Sequence, residues 1–256
     1  MSIKSKVLSV AATLALVGGV GTAGVLSAGT ASAATPSCGA SCINIFSHQF
    51  GSFRSPNYTV DVLRQGEKTG QPIILFRQSN YDPALDWTVA FQGTTADFFA
   101  AGLVSSAVAL HYGCTVGPFV NCTLARNDPA FENEYSPFGV ESGLCMGVAA
   151  TAFNDEGVTL QPCGVSSKTV WILDTYDQQF NFRTAFKNGI PLINGSDTNF
   201  SQPFVLTYPN QSFPTDKPRP QLVVTNLTGF SNGVSGPQVG TINSDQLWGA
   251  TFGVLP

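Results

Sequence analysis

Residues 145–171 read CMGVAATAFNDEGVTLQPCGVSSKTVW and carry the most informative pattern in the chain. One short apolar segment begins at Cys145, a second follows Gly157, and a tryptophan ends the stretch. Short apolar segments separated by turn residues are typical of β-strands. The alternation continues along the chain, with turns such as Asn188-Gly189. The sequence therefore predicts an all-β barrel or sandwich, although residues 95–110 fit a helix as well as strands.

The three tryptophans indicate an internal repeat. They recur at similar spacing, and each follows a similar apolar strand at a similar distance upstream. A repeat of this kind indicates units that bury a core together. The third copy is the most approximate of the three. The paired segments are Thr59–Val62 with Trp87, Cys145–Val148 with Trp171, and Gln221–Val224 with Trp248.

These repeats resemble the ricin B-type lectin family, whose unit has a Cys-Leu-Asp-Val-like strand, a Leu-x-x-Cys-like stretch and a Gln-x-Trp. The second copy matches at Cys145-Met146-Gly147-Val148, Leu160–Cys163 and Trp171, and the third at Asn243–Trp248. The resemblance implies a disulfide-bonded β-trefoil of three repeats with long loop insertions, because the family's repeat is about half as long. It also implies core-packed tryptophans and a disulfide inside the second repeat.

The same resemblance implies a carbohydrate site in the first copy. Asp61 matches the family's carboxylate, and Asn80 and Tyr81 supply an amide and an aromatic face. A carboxylate can accept two sugar hydroxyls, and an aromatic ring suits the apolar face of a sugar. The structural alternative is that Asp61 caps a turn or pairs with Arg64 or Arg77. In the other copies the carboxylate is replaced by Gly147 and Val223, and we expect Gln246 to bond backbone inside the fold.

Residues 1–33 have the pattern of a secretory signal peptide. Lys4 and Lys6 precede an apolar stretch from Val7 to Leu26, and Ala31-Ser32-Ala33 offers a cleavage motif. The alternative is a retained membrane anchor. We predict cleavage before Ala34, leaving one β-trefoil-like domain over 34–256 that is secreted and not held in a membrane.

All six cysteines follow the predicted cleavage site. An even number of cysteines in an exported chain favours three disulfides over a metal site. The sequence alone allows 15 pairings, and local spacing favours neighbours. The favoured pairs are Cys38–Cys42, Cys114–Cys122 and Cys145–Cys163.

Charge and motifs exclude several function classes. The 12 basic against 16 acidic residues argue against a nucleic-acid partner. The two histidines, His48 and His111, lie in no hydrolase motif. Neighbouring acids could serve a glycosidase, but adjacent acids are common in loops. They are Glu132/Glu134, Asp155/Glu156 and Asp174/Asp177.

We therefore expect no enzyme, cofactor or metal, and a secreted non-catalytic protein that binds an extracellular glycan or polysaccharide. The alternative is a secreted protein-binding or inhibitory β-trefoil without sugar binding. The long segments Gly113–Asn133 and Tyr208–Pro220 favour that alternative, because a protein partner needs no sugar-binding triplet.

Overall fold

The computed structural model describes residues 42–51, 58–77, 83–111, 114–115, 121–122, 128–174, 189–198, 203–209, 219–228 and 242–252. All of them belong to one compact body that spans Thr35–Pro256. The predicted signal peptide lies outside the described residues, so its cleavage stays a prediction. Among the described helices, none is both long and apolar enough to cross a bilayer.

Strands dominate the described chain, which confirms the all-β prediction. Two short helices, α1 (Thr95–Ala100) and α2 (Ser106–His111), follow the fourth strand. The strands are β1 (Ile43–Ser47), β2 (Tyr58–Val62), β3 (Ile73–Arg77), β4 (Trp87–Thr94), β5 (Cys114–Thr115), β6 (Asn121–Cys122), β7 (Pro129–Tyr135), β8 (Leu144–Val148), β9 (Glu156–Pro162), β10 (Val170–Leu173), β11 (Leu192–Asn194), β12 (Phe204–Thr207), β13 (Val223–Asn226) and β14 (Trp248–Phe252).

Pairings between strands run in a ring. β4 pairs with β7, β7 with β10, β10 with β11, and β14 with β1, all antiparallel. Two bridges complete the circuit: Cys42 pairs with Thr88 between β1 and β4, and Ile190 pairs with Trp248 between β11 and β14. We call these six strands the ring strands; they are β1, β4, β7, β10, β11 and β14. Closing a sheet on itself removes the exposed strand edges that invite aggregation.

The remaining long strands form three hairpins that meet one another. β2 pairs with β3, β8 with β9, and β12 with β13. β9 pairs with β13, and single bridges join Pro72 to Thr159 and Ile74 to Gln221. Each hairpin therefore contacts both others. We call β1–β4 the first unit, β7–β10 the second and β11–β14 the third.

The three tryptophans anchor the interior, as the sequence predicted. Each begins or nearly begins the last strand of its unit, and each is at most 1% exposed. Trp171 belongs to the central apolar cluster, whereas its neighbours Val170 and Ile172 belong to a second cluster that includes residues of both helices. This follows from the two-residue period of a strand, which sends successive side chains to opposite faces.

The region where the sequence left helix and strand open forms helices. α1 starts after Thr94, whose hydroxyl accepts a hydrogen bond from the Asp97 amide, while the Asp97 carboxylate accepts one from the Thr94 amide at 2.8 Å. This reciprocal arrangement is a capping box, which satisfies amides at a helix start. Phe98 and Val108 are buried in the second apolar cluster, so packing holds these short helices in place.

The disulfide predictions have different outcomes. Cys145–Cys163 is present, which confirms that pair. Cys42 is also disulfide-bonded, but its predicted partner Cys38 lies outside the described residues. The backbones of Cys114 and Cys122 lie opposite each other in the β5–β6 ladder. Their side chains are not among those described, so that bond stays a prediction.

Candidate functional site

Indole hydrogen bonds give a structural alignment of the three units. The Trp87 Nε1–H donates to the Val60 carbonyl at 3.1 Å and the Trp171 Nε1–H to the Met146 carbonyl at 2.9 Å. These are the two upstream strands that the sequence predicted. The bonds tie the last strand of each unit to its first hairpin strand, and they satisfy a buried donor that would otherwise cost free energy.

The third unit corrects the sequence prediction. The Trp248 Nε1–H donates to the Leu206 carbonyl at 2.8 Å, so β12 takes the place expected for Gln221–Val224. Gln221–Val224, the segment expected as the first hairpin strand, instead contributes Val223 and Val224 to β13, which is the second hairpin strand of this unit. The predicted spacing was too short because the chain between β12 and β13 is long, which puts the bonded carbonyl 42 residues before the tryptophan.

The residues that follow the three bonded carbonyls diverge. They are Asp61, Gly147 and Thr207. A Cβ on Gly147 would lie 2.7 Å from the Lys168 carbonyl oxygen, so this position in the second unit has no room for a side chain. The Thr207 hydroxyl shares a 2.7 Å hydrogen bond with the Thr225 hydroxyl. Only the first unit therefore carries a carboxylate here.

Asp61 lies in β2 opposite Ile74 of β3 and is 3% exposed. The residue interacts with other groups of the protein, and a side chain this buried offers little surface to a ligand. Asn80 and Tyr81, the predicted amide and aromatic partners, lie outside the described residues. The three-residue sugar site therefore stays a prediction, and Asp61 is its one described member.

Gln246, the glutamine of the Gln-x-Trp match, has a structural role, as the sequence predicted. It is 2% exposed, and its Nε2 donates to the Asn226 carbonyl at 2.8 Å. Its Oε1 accepts from the Thr228 amide at 2.8 Å. These bonds hold the turn before Trp248 against the third hairpin. A fully engaged amide of this kind has little capacity left for a ligand.

The buried acids of β7 also make structural bonds. The Glu132 carboxylate accepts hydrogen bonds from the Gly164 amide at 2.9 Å and from the Thr169 hydroxyl, and Glu134 accepts from the Gly143 amide at 2.6 Å. Burial raises the pKa of both carboxyl groups above their ordinary value, and these hydrogen bonds partly oppose the rise. Both acids hold the polypeptide that leads into or out of the second hairpin.

Glu156 has a similar structural role, because its carboxylate also accepts a backbone hydrogen bond. His48 packs against the aromatic ring of Phe46. Glu156 accepts from the Ala150 amide at 2.7 Å. His48 is half-buried with its ring centroid 5.1 Å from that of Phe46, and burial lowers its pKa. The His111 side chain is not among those described. Within the described ranges, no three His, Cys, Asp or Glu side chains form a group that could hold a metal ion.

A cavity that the sequence did not predict opens among the ring strands. Its volume is about 310 Å³, and residues on or beside all six strands line it. The signal in the sequence was the set of small residues on β4 and β14, at Gly93, Gly249 and Ala250. Strand periodicity does not reveal that these small residues meet around one space, because that depends on how the ring closes.

Comparisons with known proteins leave the family open. No protein-family profile matches the chain, and no curated protein matches it either. Solved structures with some similarity include ThreeFoil, a designed 3-fold symmetric protein, at 11% identity and a TM-score of 0.44, covering 81% of this chain and 96% of that one. The Rhizoctonia solani agglutinin is similar at 11% identity and a TM-score of 0.44, covering 83% and 95%.

A mosquitocidal holotoxin is similar at 12% identity and a TM-score of 0.43, covering 84% of this chain and 17% of the toxin. At TM-scores this low, the assignment of the fold rests on the strand pairings and the indole hydrogen bonds described above.

Proposed function

We propose that this protein is a secreted, non-catalytic carbohydrate-binding protein with a β-trefoil fold, and that it binds an extracellular glycan or polysaccharide through its first unit. The proposal needs no cofactor or metal. The observation that carries it is the alignment by indole hydrogen bonds, in which the first unit alone keeps a carboxylate, Asp61, after the bonded carbonyl.

The strand arrangement supports the trefoil. A ring of six strands, with three hairpins that all meet one another, is what three four-stranded units make when they close around a common axis. No single unit could bury its apolar face alone, and three together can. The fold by itself does not specify a ligand, so the glycan is argued from the first unit.

In this proposal Asp61 acts mainly as a buried anchor. At 3% exposure it offers a ligand little surface, so Asn80 and Tyr81 supply most of the contact with the sugar in this proposal. A buried carboxylate that holds its neighbours in place fits a binding site whose residues are set before the ligand arrives. Secretion is supported by Lys4, Lys6, the apolar stretch and Ala31-Ser32-Ala33.

The test is a glycan and polysaccharide screen on the oxidised chain from Ala34 to Pro256, with three variants beside it. Tyr81→Ala removes the aromatic face, Asp61→Asn keeps the size of the anchor, and Glu67→Gln removes one charge from an exposed position in the same unit. We expect Tyr81→Ala and Asp61→Asn to lose binding and Glu67→Gln to keep it. Binding that all three variants keep would contradict a site in the first unit.

A protein partner is the second candidate, and exposed aromatic residues favour it. Phe91 is 52% exposed and Phe138 is 45% exposed, and exposed large apolar side chains are enriched where proteins meet. A folded protein that binds no glycan at millimolar sugar would support this second candidate over the first.

Sequencing the N-terminus of the exported protein checks secretion, with Ala34 as the expected first residue.

A further inference from the structure

The cavity among the ring strands has the character of a ligand pocket. Its volume of about 310 Å³ lies at the lower end of the range of roughly 300–1,000 Å³ for small-molecule sites, which occur preferentially in places such as the mouths of β-barrels. Each ring strand or its flank contributes at least one residue. Six of these, one per strand in chain order, are Ile43, Val89, Phe131, Leu173, Ile190 and Trp248.

Side-chain size explains why the space is open. The interior of a small barrel is normally filled by side chains. Here large residues such as Phe131 and Trp248 are almost fully buried, whereas Ala250 adds only a methyl group and Gly93 and Gly249 line the space with backbone alone. A Cβ on Gly249 would overlap the Phe46 ring, so packing elsewhere requires this glycine.

A β-bulge shapes one wall. The register between β4 and β7 shifts between Val89 and Phe91, so Val89 lies opposite Asn133 and Gln92 lies opposite Phe131. An extra residue in one strand changes which side chains share a face. Val89 and Gln92 both line the cavity, and Gln92 is exposed to solvent like its neighbour Phe91. The bulge thus adds one solvent-exposed amide to an otherwise apolar lining.

The lining defines the chemistry of the ligand. Among the described residues that line the cavity, every side chain except Gln92 is apolar or absent, and none carries a charge. A charged group in such a site would lose its hydration without a partner, whereas an apolar group gains by leaving water. A cavity of about 310 Å³ has room for a small organic molecule.

We propose that this cavity binds a small neutral apolar molecule that carries one hydrogen-bonding group, with the apolar part against Trp248 and Phe131 and the polar group at Gln92. Asp61, the described member of the carbohydrate site proposed above, is not among the described residues that line this cavity. The two proposals are tested with different ligands and different variants.

The three tryptophans provide an internal control for the test. Trp248 lines the cavity, and Trp87 and Trp171, which make the equivalent indole hydrogen bonds, are not among its lining residues. We would titrate the ¹⁵N-labelled oxidised chain from Ala34 to Pro256 with 4-propylphenol and follow the three indole N–H signals. The expected result is a saturable shift of the Trp248 signal that exceeds those of the other two. No shift at Trp248 would overturn the proposal.

Two variants check the position of the ligand. Ala250→Leu fills the cavity from β14 and should weaken binding about tenfold or more, while Ala100→Leu makes the same change at an exposed position on α1 and should leave it unaltered. Near-ultraviolet circular dichroism establishes that both variants are folded. Unchanged affinity in a folded Ala250→Leu variant would overturn the proposal. If that variant does not fold, the shift of the Trp248 signal in the unaltered chain tests the proposal by itself.

The ligand class is checked with matched compounds. Gln92→Leu should weaken 4-propylphenol about twofold to tenfold, the worth of one hydrogen bond, and leave propylbenzene unaffected. The anion 4-propylbenzoate should bind more weakly than 4-propylphenol, since none of the described lining residues carries a positive charge. Equal or tighter binding of the anion would contradict the assignment of a neutral ligand.

Discussion

The first and second units make the same indole hydrogen bond but differ at the residue beside it. Trp87 bonds the Val60 carbonyl and Trp171 bonds the Met146 carbonyl, whereas the next residues are Asp61 and Gly147. A bond to backbone fixes the position of a strand without specifying its side chains. The comparison therefore separates residues that hold the framework from residues that can differ between units and become a site.

The largest effect should come from removing the shared framework. Trp87→Ala and Trp171→Ala each leave a large cavity and an unpaired carbonyl, and we expect a loss of about 3–5 kcal/mol in the free energy of unfolding for both. Denaturant unfolding of the two variants measures it. Because both indoles make the same kind of hydrogen bond from a fully buried position, both losses should fall in this range. A much smaller loss for Trp87→Ala would break the equivalence of the units.

The disulfide distinguishes the second unit from the first. Cys145 and Cys163 are 18 residues apart, and closing a loop of that length lowers the entropy of the unfolded chain. We expect the double change Cys145→Ser and Cys163→Ser to cost about 3 kcal/mol of stability. Thermal unfolding measures the effect, with the other cysteines kept oxidised. An unchanged melting temperature would show that the second hairpin is held without its crosslink.

Gly147 tests the close packing that distinguishes it from Asp61. In Gly147→Ala the new Cβ would lie 2.7 Å from the Lys168 carbonyl and 2.9 Å from Thr169 Cγ2. The backbone must shift, and overpacking of this kind costs about 1–3 kcal/mol. Thermal unfolding is again the measurement. A melting temperature equal to that of the unaltered protein would mean that the second unit tolerates a side chain at this position.

Replacing Glu132 should have a smaller effect on the free energy of unfolding, and this effect should depend on pH. Burial raises the pKa of its carboxyl group above the ordinary 4.5, so the folded state favours the protonated form. The stability that this group contributes is complete below pH 4.5 and is lost as the pH rises through the elevated pKa. Glu132→Gln should therefore flatten the pH dependence of the unfolding free energy above 4.5.

The exposed change Glu67→Gln is the control for removing one carboxylate from the chain. A Glu132→Gln variant with the slope of the unaltered protein would contradict the assignment. The comparison is made at several pH values with the same denaturant, so that only the titrating group differs between the two variants.

The framework was predictable from the sequence where spacing is regular. Cys145, Met146 and Trp171 lie in one unit with short connections, so the sequence pattern located the strand, the tryptophan that bonds to it and the disulfide. The third unit was misaligned because its hairpin connection is longer, and loop length changes at little cost in free energy. Leu206 could not be recognised, since nothing in Phe204–Thr207 resembles the other two strands.

The site was less predictable, for physical reasons. Asp61 was identified as a candidate, but its burial depends on how β2 packs in the closed structure. The two acids of β7 formed one of three acid pairs that could serve a glycosidase, and hydrogen bonds from the Gly164 and Gly143 amides, which the sequence does not reveal, engage them. The cavity depends on ring closure and on a β-bulge, neither of which leaves a periodic pattern.

Glycan binding at the first unit is tested most directly by mapping that binding on the labelled protein. A glycan that binds in the screen would be titrated into the ¹⁵N-labelled chain while all backbone amide signals are followed. We predict saturable shifts at residues 78–82 and in β2 around Asp61, with none at Gly147 or Thr207. Shifts confined to the second or third unit would contradict a glycan site in the first.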